Sequence, residues 1–228
     1  MYLPYDDNDL ALVDGQEIGW RAYTLGARFG ETDWLGSQTR TFTLTGKYGQ
    51  EWEASNMLAE CFCLGNSTDE RMRAERQERA IEHIRSAREN GHIHNKCGIY
   101  VLRTWEEIER QWLAYQLGSD LPCGAASYAS QRPVQVLARV VAAGELAKGA
   151  RGFRAQQVTI VKLFLAKPIM YCLCRPHIHI SDTGLVCWTC EHARSESPAE
   201  PRTVQGLLES QFGCNVKVGW PTAKERTV

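Results

Sequence analysis

A chain of 228 residues can bury one large core or two small ones, and its 43% apolar and 23% charged composition is ordinary for a globular protein. The formal net charge of -1 gives no overall reason to expect nucleic acid or an anionic membrane as a partner. No apolar run approaches the roughly 18 residues that cross a bilayer, and the N-terminus lacks the basic start and apolar middle of a signal peptide. We therefore expect a cytoplasmic protein with no membrane partner.

The first half of the chain predicts two strands and then a helix. Residues 18–25 have strand character, and residues 39–45 alternate with many β-branched side chains. A helix is predicted from Ser67, which has the spacing of a capping box with Glu70, to the stop signal at Asn90-Gly91. Because this helix is dense in Glu and Arg, we expect it to dock by a narrow apolar stripe and to expose an ion-paired face.

The second half predicts a further helix and a long hairpin. The helix begins at Thr104 and carries aromatic residues at helical spacing, which is typical of core packing. Residues 134–142 and 153–165 are strand-like runs joined by a glycine-bearing connection, so they predict an antiparallel hairpin. Residues 204–212 predict a short helix. The order indicates an α+β fold with a mainly antiparallel sheet, two helices and a zinc-stabilised Cys/His-rich C-terminal extension.

The downstream group of metal-capable side chains is the strongest chemical signal. It contains Cys172, Cys174, His177, His179, Cys187, Cys190 and His192. On a strand, C-x-C and H-x-H each put two ligands on one face, and C-x-x-C is the spacing of a zinc knuckle. A site of the four cysteines is the simplest choice, and a mixed site that uses the histidines is the main alternative. Compact sites of this kind are usually closed and structural.

An upstream group brackets the charged helix. Cys61 and Cys63 precede the helix, whereas His92, His94 and Cys97 follow it. These residues can meet if the chain folds back on itself as a hairpin around the helix. Because cytosolic cysteines are kept reduced, both groups predict metal ligands before disulfides, and zinc is the expected cofactor.

The chain divides into three predicted segments. Residues 1–168 form an α+β core domain, residues 169–194 a Cys/His metal-binding segment, and residues 195–228 a linker with a short C-terminal element. No nucleophile elbow, P-loop, dinucleotide-binding fingerprint or H-E-x-x-H motif occurs, so no catalytic residue is assigned. A catalytic pair of Cys123 and His83 is a weak alternative, because nothing in the sequence places the two together.

These observations favour a non-enzymatic zinc-binding protein that acts as an interaction or regulatory module toward a protein partner. The alternative is a nucleic-acid-binding protein that uses zinc knuckles and a basic hairpin turn containing Lys148, Arg151 and Arg154. A third class, a metal-dependent enzyme, would need a zinc ion with three protein ligands and an open fourth position.

One motif resembles a family signature. The run Cys97-Gly98-Ile99-Tyr100-Val101 is similar to the C-x-C-G-I-Y-A signature of an uncharacterised family of actinobacteria and their phages. The family's other features have counterparts in the same order over residues 18–165, namely Trp20-Arg21-Ala22-Tyr23, Trp52, Cys61, His92 or His94, and Gly152-Phe153-Arg154-Ala155. Asn95 stands where the family has its first cysteine, and Val101 replaces its alanine. The resemblance implies a shared fold and a phage or actinobacterial source, and it implies no activity. If the source is a phage, a host component is the expected partner.

Overall fold

Strands dominate the part of the chain that the structure describes. The computed structural model describes residues 15–32, 38–46, 51–61, 70–90, 97–116, 134–166, 168–174, 177–181 and 202–227. Within these ranges the fold is a strand-rich α+β fold, which confirms the predicted class. No helix of the described ranges is long and apolar enough to cross a membrane.

The described residues contain eleven strands and four helices. The strands are β1 (Glu17–Thr32), β2 (Gln38–Thr45), β3 (Glu51–Trp52), β4 (Asn56–Leu58), β5 (Ile99–Leu102), β6 (Gln135–Lys148), β7 (Gly152–Leu165), β8 (Met170–Cys174), β9 (His177–Ser181), β10 (Arg202–Thr203) and β11 (Asn215–Val218). The helices are α1 (Glu70–Asn90), α2 (Trp105–Gln116), α3 (Gln205–Phe212) and α4 (Ala223–Arg226). The two long predicted helices, the short one predicted over residues 204–212 and the hairpin strands are therefore present, and α4 is an element that the sequence did not suggest.

Eight strands of the described ranges form one mixed sheet built around β1 and β7. Strand β1 pairs with β2, β5 and β6, and β7 pairs with β4, β5 and β6, all antiparallel. Strand β11 adds to β7 in parallel. The predicted hairpin is β6–β7, whose register runs from Val136 opposite Leu165 to Lys148 opposite Phe153. Because β1 and β7 each pair with both β5 and β6, these four strands close into a ring.

Two glycines allow β5 to close the ring. A Cβ atom at Gly152 would overlap the carbonyl oxygen of Val101 and lie 3.1 Å from Leu102 Cα. A Cβ atom at Gly19 would lie 2.6 Å from the Leu102 carbonyl oxygen and would overlap the Val101 side chain. Real Cβ atoms do not approach the backbone so closely, so the backbones of β1 and β7 can reach β5 only where these positions lack a side chain.

Alternating residues of the ring strands fill two separate cores. The larger cluster takes one face of the strands and includes Tyr23, Val140 and Phe153. The smaller cluster takes the other face, where Trp20 and Phe164 pack with side chains from α2. Trp105 and Ile108 of α2 therefore belong to the core, as their spacing predicted; the side chains of Trp112 and Tyr115 lie outside the described part of the chain.

The region after residue 202 packs into the larger core. Val204, at the start of α3, and Leu208 and Phe212, within it, are buried there. Gln211 exchanges hydrogen bonds with the backbone N–H and C=O of Phe42 at 2.9 and 2.7 Å. Gly213, at φ +60°, ends α3 and leads into β11. The three-segment division stays a prediction as a description of domains, but α3 and β11 share the core of the first segment.

An ion-pair cluster fastens the last helix to the sheet. Glu225 on α4 accepts from Lys162 Nζ at 3.0 Å and from Lys217 Nζ at 2.7 Å, and it forms a capping box with Thr222. Partial burial raises the pKa of the Glu225 carboxyl, but hydrogen bonds from Lys217, Thr222 and Lys162 lower it more, so the pKa falls from 4.5 to about 2. The Arg226 guanidinium lies over the ring of Trp105, 4.6 Å from its centroid. Arg226 therefore covers the smaller core at Trp105.

Replacement of Glu225 is expected to remove a pH-dependent part of the stability. Because the pKa is lower in the folded than in the unfolded protein, the stabilisation is complete above about pH 4.5 and is lost as the pH falls toward 2. Glu225→Gln should lower the free energy of unfolding by about 2 kcal/mol at pH 7, with solvent screening allowed for. Urea denaturation of both proteins between pH 7 and 2 measures this difference. A difference that does not change with pH would contradict the assignment.

A smaller sheet lies beside the main one. Its three strands are ordered β10-β8-β9. Arg202 on β10 pairs with Tyr171 on β8. The Val204 N–H donates to the backbone carbonyl of Ile169, a buried residue, at 3.0 Å. Strand β9 lies against β1. The small sheet is thus attached to the larger core at Ile169, the residue before β8.

Candidate metal centre

Three metal-capable side chains meet between α1 and the sheet. The distance from His83 Nδ1 to Cys97 Sγ is 3.0 Å, and that from His83 Nδ1 to Cys61 Sγ is 3.6 Å. The two sulfur atoms are 3.3 Å apart. One ligand atom from each residue therefore lies close enough to the others for all three to bind one metal ion.

Backbone hydrogen bonds to the sheet on one side and to α1 on the other position Cys61. The Ala59 N–H donates to the Gln156 carbonyl of β7 at 2.7 Å, and the Cys61 N–H donates to the Arg76 carbonyl of α1 at 2.9 Å. Between them, the Glu60 carboxylate accepts from Arg76 Nε at 3.0 Å. The segment after β4 therefore bridges the sheet and the helix, and it leaves the thiol between them.

His83 lies on the face of α1 that meets the sheet. Its helical neighbours Ala80 and Ile84 are buried in the larger core. Arg85 reaches outward to Glu145 of β6 at 3.0 Å, which adds a surface ion pair to the docking of the helix. The narrow apolar stripe predicted for this helix thus exists, and the imidazole lies within it.

Cys97 lies two residues before the start of β5, at a turn that needs glycine. Gly98 has a φ of +78°, a conformation that L side chains rarely adopt, and a Cβ atom there would lie 3.1 Å from Ile84 Cγ1. Arg154 Nη1 donates to the Gly98 carbonyl at 3.4 Å, and its guanidinium lies 4.9 Å from the Tyr100 ring centroid. The turn therefore brings the Cys97 thiol toward α1 as the chain enters the sheet.

The spacing of the three ligand atoms suits a tetrahedral metal ion. Zinc with bonds of about 2.3 Å to sulfur and about 2.0 Å to nitrogen separates its ligand atoms by roughly 3.5–3.8 Å. The observed separations of 3.0–3.6 Å reach this geometry with shifts of a few tenths of an ångström. A disulfide needs about 2.05 Å between sulfur atoms, so the pair at 3.3 Å is not bonded. Both thiols have 0% exposure, which keeps them from an external substrate.

Sequence spacing identified two of the three residues. Cys61 and Cys97 were predicted to meet around the charged helix, and the structure brings them together. Cys63, His92 and His94 lie outside the described residues. His83 was missed, because it is isolated in sequence from the other histidines. Its place between Ala80 and Ile84, on the apolar stripe of a highly charged helix, is the signal that would have found it.

The backbone of the downstream group is described only in part. Strands β8 and β9 are antiparallel neighbours, with Cys172 opposite His179 and Cys174 opposite His177. Cys187, Cys190 and His192 lie outside the described residues. The predicted four-cysteine site therefore stays a prediction.

The basic hairpin turn is tied to the protein's own chain. Lys148 forms an ion pair with Glu17, and Arg151 Nε is 4.0 Å from a Glu107 carboxylate oxygen. Arg154 contributes the contacts with Gly98 and Tyr100 given above. Lys148 and Arg151 thus form exposed surface ion pairs, Arg154 packs on Tyr100, and nucleic-acid binding by the turn stays a prediction.

Two further cysteines bear on thiol chemistry. Cys123 lies outside the described residues, so the weak Cys123–His83 alternative has no geometry to test it, while His83 contacts Cys61 and Cys97. Cys214 lies between α3 and β11, where burial and then the charge of Glu209 raise the pKa of its thiol to about 12. Because that thiol is protonated at neutral pH, Cys214 serves as a control for the metal-capable cysteines.

Comparisons of the chain with protein-family models, with curated proteins and with solved structures found no match. Among the described residues that carry the resemblance to the actinobacterial and phage family, Ile99 on β5 pairs with Ala155 on β7. The family relationship stays an expectation.

Proposed function

We propose that the protein is a non-enzymatic, cytoplasmic zinc-binding module in which Cys61, His83 and Cys97 hold a structural zinc ion. The observation that carries the proposal is the convergence of two thiols and one imidazole nitrogen from three separate parts of the chain. Chance packing of buried cysteines does not require an imidazole nitrogen within reach of both thiols, whereas two thiols and one imidazole form a donor set that zinc accepts.

The donor set favours zinc over other abundant ions. Thiolate and imidazole are ligands of zinc, whereas magnesium and calcium prefer oxygen. In the reducing cytoplasm the two cysteines remain reduced, and binding of the metal ion releases their protons. We propose that the fourth ligand is Cys63, His92 or His94, which adjoin the centre in sequence.

The burial of the centre supports a structural role. A catalytic zinc ion keeps one coordination position open to water and substrate. Cys61 and Cys97 are fully buried, and the larger core surrounds them. A closed site in this place fastens α1 to the sheet, and we propose that it presents the exposed face of α1 to a partner.

The exposed face of α1 supports a protein partner. Its exposed residues carry both signs of charge: Arg73, Glu75, Glu78, Arg79, Glu82 and Arg85. Alternating charge gives no field that would attract a polyanion, but it can pair with a complementary protein surface. The family resemblance supports a phage-encoded protein whose partner is a host component.

Elemental analysis of the purified protein tests the zinc centre. We expect each of the variants Cys61→Ala, His83→Ala and Cys97→Ala to lose about one zinc ion per chain, because a site with a missing ligand binds metal far more weakly. Cobalt substitution provides a second readout, since the intensity of its d–d bands reports tetrahedral geometry and its charge-transfer band reports thiolate ligands.

Cys214→Ser is the matched control, because its thiol is protonated and distant from the centre in sequence. It should bind as much zinc as the wild type. Unchanged zinc content in all three ligand variants would overturn the proposal. A cobalt spectrum that shifts when exogenous anions are added would indicate an open fourth position and would contradict the structural role.

A further inference from the structure

The pairing of β8 with β9 places four ligand-type residues side by side. Cys172 is the register partner of His179, and Cys174 is the register partner of His177. The C-x-C and H-x-H patterns are thus matched to each other across one antiparallel pair of strands. This juxtaposition is a property of the backbone register, which the sequence alone did not determine.

The four positions share one face of the strand pair. Positions two apart on a strand belong to the same face, and directly opposite positions of an antiparallel pair do so as well. Opposite Cβ atoms are about 4.5–5.5 Å apart, and residues two apart on one strand are separated by about 6.5–7 Å. A rectangle of these dimensions allows two, three or four side chains to bind one ion above the sheet.

The register favours the mixed set of ligands over the four cysteines. A site of Cys172, Cys174, Cys187 and Cys190 would need the chain to return to β8 from beyond β9. The histidine positions already lie next to Cys172 and Cys174, and only residues 175–176 separate the two strands. A set of two cysteines and two histidines is a common structural zinc site.

We infer that Cys172, Cys174, His177 and His179 form a second zinc site, separate from the centre at Cys61, His83 and Cys97. It lies on the small sheet, which β10 and the contact of β9 with β1 attach to the main fold. A zinc ion there cross-links β8 to β9 and stabilises a three-stranded sheet that is otherwise short. The inference does not depend on the proposed function, because the two sites share no residue.

Zinc analysis of selected variants of the full chain tests the second site. We expect about two zinc ions per wild-type chain and about one per chain in the double variants Cys172→Ser/Cys174→Ser and His177→Ala/His179→Ala. The double variant Cys187→Ser/Cys190→Ser should keep both ions. With cobalt in place of zinc, the histidine double variant should retain charge-transfer intensity from the first centre.

The outcomes separate the alternatives. Loss of one ion from the Cys187→Ser/Cys190→Ser variant, with no loss from the histidine variant, would overturn the mixed set and favour four cysteines. Full zinc content in both β8–β9 variants would overturn the second site while leaving the first intact. If only the β8–β9 variants lost zinc, and the variants of Cys61, His83 and Cys97 did not, the proposed function would fail and the second site would stand.

Discussion

Chelation of the zinc ion proposed at Cys61, His83 and Cys97 is expected to lower the free energy of unfolding by about 4 kcal/mol. The ion acts as a cross-link, since it closes the loop between Cys61 and Cys97, which are separated by 36 positions. Closing a loop of this length restricts the unfolded chain by about 4 kcal/mol. The loss falls mainly on α1, because its docking stripe is narrow and its sequence is highly charged. Urea denaturation with and without a chelator measures the size of the loss, and hydrogen exchange of the α1 amides locates it.

Loss of zinc from the second proposed site would add to the chelator effect, so that site must be removed by mutation. The experiment is therefore made in the Cys172→Ser/Cys174→Ser background, where a chelator can act only on the first centre. Adding His83→Ala to that background should abolish most of the chelator effect. Equal unfolding midpoints with and without the chelator would show that the first centre holds no structural metal.

Gly152→Ala is expected to destabilise the protein by about 3 kcal/mol or more, since overpacking against rigid neighbours costs this much. The added methyl would overlap the Val101 carbonyl oxygen and lie 3.0 Å from the Val101 carbonyl carbon and 3.1 Å from Leu102 Cα. All three neighbours are backbone atoms, so no rotamer change can relieve the contact. The backbones of β5 and β7 would have to separate, and the ring of four strands would open there.

Gly206→Ala is the matched control for this substitution. Gly206 lies in α3, and a Cβ atom there would meet nothing within 4 Å. Alanine is a better helix former than glycine by about 1 kcal/mol, so this variant should be slightly more stable than the wild type. Thermal and urea denaturation of the two variants give the comparison. A Gly152→Ala protein as stable as the control would show that β5 and β7 are not held in close contact.

The elements that sequence predicted well are those with a local signal. The β6–β7 hairpin has two β-rich runs and a glycine-bearing connection, and its register follows from its own residues. The helix α2 was predicted to begin at Thr104, and the Thr104 hydroxyl caps it by accepting from the Glu107 N–H at 3.4 Å. In each case the residues that determine the structure lie within one element or in adjacent elements.

The ring of four strands and the metal centre could not be predicted from local signals, because each is formed by residues that are far apart in the sequence. Strand β5 closes between β1 and β7, although nothing in its four residues specifies either partner. His83 joins Cys61 and Cys97 only after α1 docks, and that docking uses buried positions from several strands. Spacing along the chain found the two cysteines because they flank the helix. The same spacing gave no indication of His83, which lies within the helix.

The parallel strand β11 has a consequence for synthesis. Residues 162–165 of β7 pair with residues 215–218, and Lys162 finds its carboxylate partner at Glu225. Until residues 215–218 have been synthesised, the edge of β7 that β11 will cover presents unpaired amide and carbonyl groups. Exposed strand edges of this kind invite pairing with other chains. Nascent chains that stall before residue 215 should therefore depend on chaperones more than chains in which β11 has been made.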